Sequence, residues 1–386
     1  MKKENYQPKI VLRLLTTISV LIFTVAAYIA FGFFFDVFVQ VIPILLLPVL
    51  IIPFIWCSPS FKKESAISAI VVILILSIAS GVAVGLIATS KPGFGSKPSS
   101  GSIDTYTYSK EYMSSNYDIN QKTVVKVWVP SNYSNEKIYP VMYILDGDMF
   151  FNYAAIKASE QSANNRDMIV VGIGYGYWNS TFARGGIVWQ DKKHVRGRWR
   201  DFGFQDDTEA GYMPGTIMGG EEKRGKEYCE FLYQVVKDIR EKYSVDNLNS
   251  TIFGHSLGGG MSAYLLTQYD PAKKENNPFN RFVIVDNGYV EYYSNHYETD
   301  FKVAMNNAEG SAFNNLYVYR IWGGSVNPEG EQEQIDLYKQ INDENWNNIH
   351  NYIWIPEGAN HSDTETLGLD QAINLALGLQ IQYSNL

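Results

Sequence analysis

The chain has 386 residues, a formal net charge of −8, and 46% apolar and 14% aromatic residues, enough for one large domain or two modest ones. Only eight of its 32 basic and three of its 40 acidic residues precede position 100, which leaves 24 basic against 37 acidic residues beyond it. That acidic remainder lacks the basic face that a nucleic-acid partner requires, and two cysteines without CxxC or Cys/His spacing, Cys57 and Cys229, argue against a structural zinc site or a disulfide.

Three apolar runs open the chain, at about 10–35, 37–56 and 66–89. Each reaches the roughly 20 residues needed to cross a bilayer, and three long runs do not fit a single cleavable signal peptide. Lys2, Lys3, Lys9 and Arg13 flank the first run, while Lys62 and Lys63 separate the second from the third. Placing both groups in the cytoplasm satisfies the positive-inside rule and puts the remainder outside. Pro43, Pro48 and Pro53 leave open a second arrangement, in which the middle run turns back and the remainder is cytoplasmic. Arg13 near one end is the only Lys or Arg within these runs, so residues 1–89 read as an anchor rather than a transport pathway. Residues 90–103, rich in Gly, Ser, Pro and Lys, read as a flexible linker.

Beyond the linker, TYTYSKEYM and KTVVKVWVP read as strands joined by a turn. PVMYILDG and MIVVGIG are apolar strands of the fully buried type, and residues 175–220 show no clear period. Apolar residues at helical spacing predict a helix over 221–243. STIFGHS is a strand and LGGGMSAYLLTQY a helix; FVIVDNG, LYVYRIWGG and NYIWIPEG are three further strands. Helical patterns follow the last two, at about 331–341 and 369–382. Short apolar strands alternating with helices predict an α/β domain over 104–386, with a mostly parallel sheet covered on both faces.

Within that alternation Gly254-His255-Ser256-Leu257-Gly258 occupies a strand-to-helix turn. G-x-S-x-G in that setting is a nucleophile elbow, in which glycines two residues either side remove the collisions of a sharp turn. Ser256 is the candidate nucleophile, and the Leu257 N–H faces the place where an oxyanion would form. The second donor is expected from the loop after PVMYILDG, as the backbone N–H of Asp148. Of five histidines, His361 in PEGANHSD lies between the last strand and the last helix, where the chain order Ser, acid, His requires the base. His255 is adjacent to the nucleophile and is expected to point elsewhere. The acid should follow LYVYRIWGG: Glu329 is the first carboxylate there, with Glu331 and Glu333 after it. These glutamates equally suit the negative first turn of a helix, and a Ser-His dyad is the alternative.

YPVMYILDGDMFF, EEKRGKEYCEFLYQVVKDIREKY, STIFGHSLGG and PEGANHS resemble the putative-esterase family of α/β hydrolases over about residues 104–383. That family includes trilactone siderophore esterases, feruloyl and acetyl-xylan esterases, formylglutathione hydrolases and mycolyltransferases. WRDFG, residues 199–203, is similar to a family segment of the form R-D-x-T-P but lacks its Thr-Pro. The resemblance implies an α/β-hydrolase fold, serine ester hydrolysis without metal or organic cofactor, and a small-molecule or envelope ester as substrate. Arg196, Arg198, Arg200 and Trp199 are candidate contacts for an anionic aromatic substrate. The resulting expectation is a multi-pass bacterial membrane esterase with its catalytic domain outside the cytoplasm. Acyl transfer to envelope sugars or lipids and a non-catalytic interaction protein are its rivals.

Overall fold

Strand order decides where the loops of this molecule meet. In the computed structural model the described residues are Thr17, 97–108, 123–175, Arg198, 200–204, 224–273, 277–287, 290–308, 315–323 and 328–386. All but Thr17 fall within one compact unit, Ser96–Trp178 together with Lys192–Leu386. Apart from Thr17 the three expected membrane runs lie outside the described residues, among which no helix is long and apolar enough to cross a membrane. Arg196 and Trp199 also lie outside them.

The elements in chain order are β1 (Ser102–Tyr108), β2 (Thr123–Val129), β3 (Tyr139–Ile144), α1 (Gly147–Ser162), β4 (Ile169–Gly174), α2 (Gly225–Lys242), β5 (Val245–His255), α3 (Leu257–Thr267), β6 (Arg281–Val285), α4 (Val290–His296), α5 (Lys302–Asn307), β7 (Leu316–Ile321), α6 (Pro328–Asp343), β8 (Ile349–Trp354) and α7 (Asp363–Ala376). One sheet holds all eight strands in the order β1-β2-β4-β3-β5-β6-β7-β8. β2 pairs antiparallel with β1 and with β4. Every pairing from β4 through β3 to β8 is parallel.

All six residues of β4 are buried, which is why it reads as an unbroken apolar run rather than an alternation. Successive side chains leave a strand on opposite faces. Val141, Tyr143, Ile252, Ile284 and Val318 therefore pack into the core beneath α2 and α3. Met142, Ile144, Phe253, Val283, Val285 and Ile321 pack on the other face with residues of α1 and α7. Each such side chain contributes about 1.5–3 kcal/mol on full burial.

Two differences from the sequence expectation have local causes. No element was expected between PVMYILDG and MIVVGIG, yet α1 fills that interval. Its Phe150, Phe151, Tyr153, Ala154, Ala155 and Ala158 are all buried, so no clean polar stripe marks it as amphipathic. The last helix spans Asp363–Ala376 rather than 369–382. Beyond it the chain lies along β8, where Ser384 N–H donates to the Ile353 carbonyl at 2.7 Å.

Among the described glycines the tightest approach is at the end of β5. A Cβ on Gly254 would overlap the Gly258 carbonyl in the first turn of α3, and backbone cannot yield as a flexible side chain can. Gly254→Ala is therefore expected to destabilise the protein by about 1–3 kcal/mol, measured as a lowered urea midpoint with an unchanged slope.

Candidate active site

β5 ends in a turn that an ordinary residue does not adopt freely. Ser256 has φ 60° and ψ −122°, outside the regions open to residues with side chains, and such a conformation costs on the order of 1–3 kcal/mol. Its N–H donates to the Val285 carbonyl at the end of neighbouring β6, at 2.9 Å, and its own carbonyl accepts from Gly260 N–H at 3.0 Å. The serine is thus held between two strand ends and the start of α3. Leu257 opens α3, and the N–H groups of a first helical turn have no acceptor within their own helix.

β3 lies beside β5, and Leu145 N–H donates to the Phe253 carbonyl at 3.0 Å. The chain then passes through Asp146, left-handed at φ 53°, into α1. Asp148 sits in the first turn of α1, and its carboxylate accepts from Tyr175 N–H beyond β4. Two helix N-termini, those of α1 and α3, therefore open at the carboxyl ends of adjacent strands. Their dipoles favour negative charge at that edge of the sheet.

His361 lies in the loop between β8 and α7. Its side chain is 44% exposed, but its Nδ1 is buried and lies 3.3 Å from Oδ2 of Asp286. The two are near without the alignment of a hydrogen bond, and Nδ1 has no hydrogen-bond partner among the described residues. No hydrogen bond joins Ser256 to His361 among the described residues either, as is common in enzymes without a substrate.

Among the described residues the carboxylate beside His361 is that of Asp286, whereas the sequence pointed to Glu329. That residue sits exposed in the first turn of α6, where its charge complements the helix dipole. Asp286 follows β6 directly, at φ 43° and fully buried at its carboxylate. Oδ1 accepts from Gly323 N–H at 2.6 Å, and Oδ2 accepts from the Thr364 hydroxyl. These donors stabilise a buried carboxylate that would otherwise be costly. The signal was present in FVIVDNG, where a lone Asp abuts an apolar strand. The expectation had placed the acid one strand later, after LYVYRIWGG.

His255 does not point away from the site. It is buried, its ring lies 4.4 Å from that of His361, and its Nε2 is 2.8 Å from the His361 carbonyl. Burial and the neighbouring imidazole push its pKa down to about 3, so it is neutral at ordinary pH. Donor atoms of His255, Asp286 and His361 lie within 4.8 Å of one another, the one such group among the described residues. Most of these atoms face protein hydrogen-bond partners rather than an open coordination position.

Two candidate substrate contacts are committed to the protein itself. Arg198 grips Asp146 in a bidentate pair, at 2.6 and 2.9 Å, with the Asp146 side chain fully buried. Arg200 is 1% exposed and forks onto Asp201 at 2.7 and 3.0 Å. Asp201 also accepts from the Tyr175 hydroxyl at 2.8 Å, whose pKa burial and that carboxylate push well up. Arg198 and residues 200–204 are thus fastened within the protein. They are fastened further by Arg224 N–H to the Arg200 carbonyl and by Gly225 N–H to the Gly203 carbonyl.

With this geometry in view, the family model described as "Putative esterase" matches residues 116–202. The match spans β2, β3, α1 and β4, and stops short of Ser256, Asp286 and His361. No curated protein matches the chain in sequence. Among solved structures, the BES protein from Bacillus cereus is 17% identical, with 71% of this chain and 95% of that one covered and a TM-score of 0.56. A siderophore hydrolase, EstA from Aspergillus nidulans, is 15% identical over 75% and 96%, with a TM-score of 0.52. An IroE-like serine hydrolase from Shewanella oneidensis is 14% identical over 70% and 79%, with a TM-score of 0.52. The fold is a mixed α/β sheet consistent with that of α/β-hydrolase-like esterases. The family match and these neighbours together support ester hydrolysis.

The two carboxylates are distinguishable by experiment. Asp286→Asn is expected to lower the rate of p-nitrophenyl acetate hydrolysis by about 10²–10⁴-fold, whereas Glu329→Gln should stay within about twofold of the parent. The reverse order would return the acid to α6.

Proposed function

We propose that this protein is a serine esterase with Ser256 as nucleophile, His361 as general base and Asp286 as the acid that orients it. The observation that carries the reading is the conformation of Ser256, φ 60° and ψ −122° between β5 and α3, with Asp286 at the next strand end 3.3 Å from His361. A strained backbone held by two strands and a helix is hard to account for without a function for the side chain it presents.

In this reading Ser256 Oγ attacks the ester carbonyl while His361 Nε2 removes its proton. Asp286 faces Nδ1, keeps the proton on that nitrogen and stabilises the imidazolium that forms. The amides of Leu257 and Asp148 receive the oxyanion, which gains from two helix N-termini as charge develops. His361 returns the proton to the leaving alcohol, and water then attacks the acyl-enzyme by the same route in reverse.

For the substrate the reading is a siderophore-type trilactone or an aryl or sugar ester, and the siderophore hydrolase among the neighbours favours a siderophore ester. For location, the apolar runs at 10–35, 37–56 and 66–89 and the flanking lysines support a multi-pass anchor in the cell membrane with the esterase domain outside.

A fluorophosphonate probe applied to the full-length protein should give one adduct, on Ser256, detected by mass spectrometry. It should be absent from Ser256→Ala and strongly slowed in His361→Ala; a folded protein that takes up no probe would overturn the serine mechanism. Protease added to intact spheroplasts should digest residues 104–386, and full protection of that domain would place it in the cytoplasm instead.

A further inference from the structure

His255 has no part in the steps above, although it immediately precedes the nucleophile. We propose that His255 is a positioning residue for His361, its Nε2–H donating to the His361 carbonyl and pinning the loop that carries the base to the strand that carries the nucleophile. The proposal rests on the serine-esterase reading and deepens it.

The direction of the hydrogen bond follows from chemistry. A carbonyl oxygen only accepts, so the 2.8 Å contact requires the proton to sit on Nε2 of His255. The Thr364 hydroxyl is 3.0 Å from the same carbonyl and 3.4 Å from that Nε2, and has one proton to share between that carbonyl and Oδ2 of Asp286. His255 makes the shorter bond to the His361 carbonyl, and its Nε2–H has no carboxylate within hydrogen-bond distance to compete for it.

Why the loop needs such a tie is clear from its length and surroundings. Residues 355–362 link β8 to α7 without regular structure, and the His361 side chain is 44% exposed. Asn360 ties the loop to α7 through its own side chain, which accepts from Ser362 N–H at 2.8 Å and Asp363 N–H at 3.2 Å. Those bonds hold the loop to its own helix and do nothing to set its distance from Ser256. The bond from His255 supplies that link, because His255 is the last residue of β5 and Ser256 is the next. Its ring also lies tilted against His361 at 4.4 Å, with Phe150 edge-on behind it at 6.0 Å. A neutral ring is required there: burial keeps His255 uncharged, so it does not oppose the imidazolium that forms on His361 during attack.

Two variants of the full-length protein separate positioning from packing. His255→Phe keeps a ring in the same space but has no donor, whereas His255→Gln places an amide N–H at a similar reach. For p-nitrophenyl acetate, the Phe variant is expected to lose about 10- to 100-fold in kcat with KM little changed, as misplacement of a catalytic group does. Its Ser256 should take up the fluorophosphonate correspondingly more slowly. The Gln variant should recover most of both losses, although its melting temperature is no higher than that of the Phe variant. Should the Phe protein not fold, His255→Asn, with the same amide on a shorter arm, is expected to take its place at the low rate. Wild-type kcat in the donor-less variant, or a Gln variant no faster than it, would overturn the positioning role while leaving Ser256 labelling intact. A folded wild-type protein that fails to label would overturn this proposal and the esterase reading together.

Discussion

A residue that bears a side chain holds φ near 60° only where the chain before and after leaves it no alternative. Ser256 is held in that way: its N–H is bonded to the end of β6, its carbonyl to the first turn of α3, and Gly254 makes room for the chain to fold back. The rest of the site depends on this constraint. It starts a helix directly after the strand end and makes β6 the strand to which Ser256 is bonded. Asp286 then follows from β6, since the residue after Val285 stands at the adjoining strand end.

The buried charges repeat this logic at lower intensity. Asp286, Asp146 and Asp201 are each buried, at strand ends or within residues 200–204, and each has its oxygens occupied by named donors. A buried carboxylate with one partner removed costs roughly 3–5 kcal/mol, so these pairs fix the segments they join. Arg198 and Arg200 are better understood as fasteners of the loop edge than as hands extended to a substrate. An arginine cluster in a segment without periodicity carries no mark in sequence that separates the two uses, because both demand the same guanidinium fork.

Most of the sheet was legible because fully buried parallel strands leave unbroken β-branched and aromatic runs between turn residues. β3, β4, β6 and β7 coincide closely with such runs, whereas β5 starts five residues before its run, β2 is antiparallel to both neighbours and β8 is mostly half-buried. α1 was not, because a helix buried along much of its surface, rich in Phe and Ala, loses the polar stripe by which helices announce themselves. His255 was misplaced for a related reason. Adjacent residues in a strand normally face opposite sides, but the sharp turn at Ser256 breaks that alternation just where the site begins.

By itself the sequence determined the architecture, the elbow at Ser256 and the position of His361, because each depends on residues close together in the chain: apolar runs, paired glycines, a histidine before a helix. Only the tertiary structure showed which carboxylate lies beside His361, where the His255 ring sits, and that Arg198 and Arg200 pair with Asp146 and Asp201. Asp286 and His361 are 75 positions apart, and only the parallel order β5-β6-β7-β8, with α7 folded back across it, brings a carboxylate, two imidazoles and a threonine hydroxyl to one edge. Chain order fixes which residues exist to be brought together, and the packing of strands fixes which of them meet.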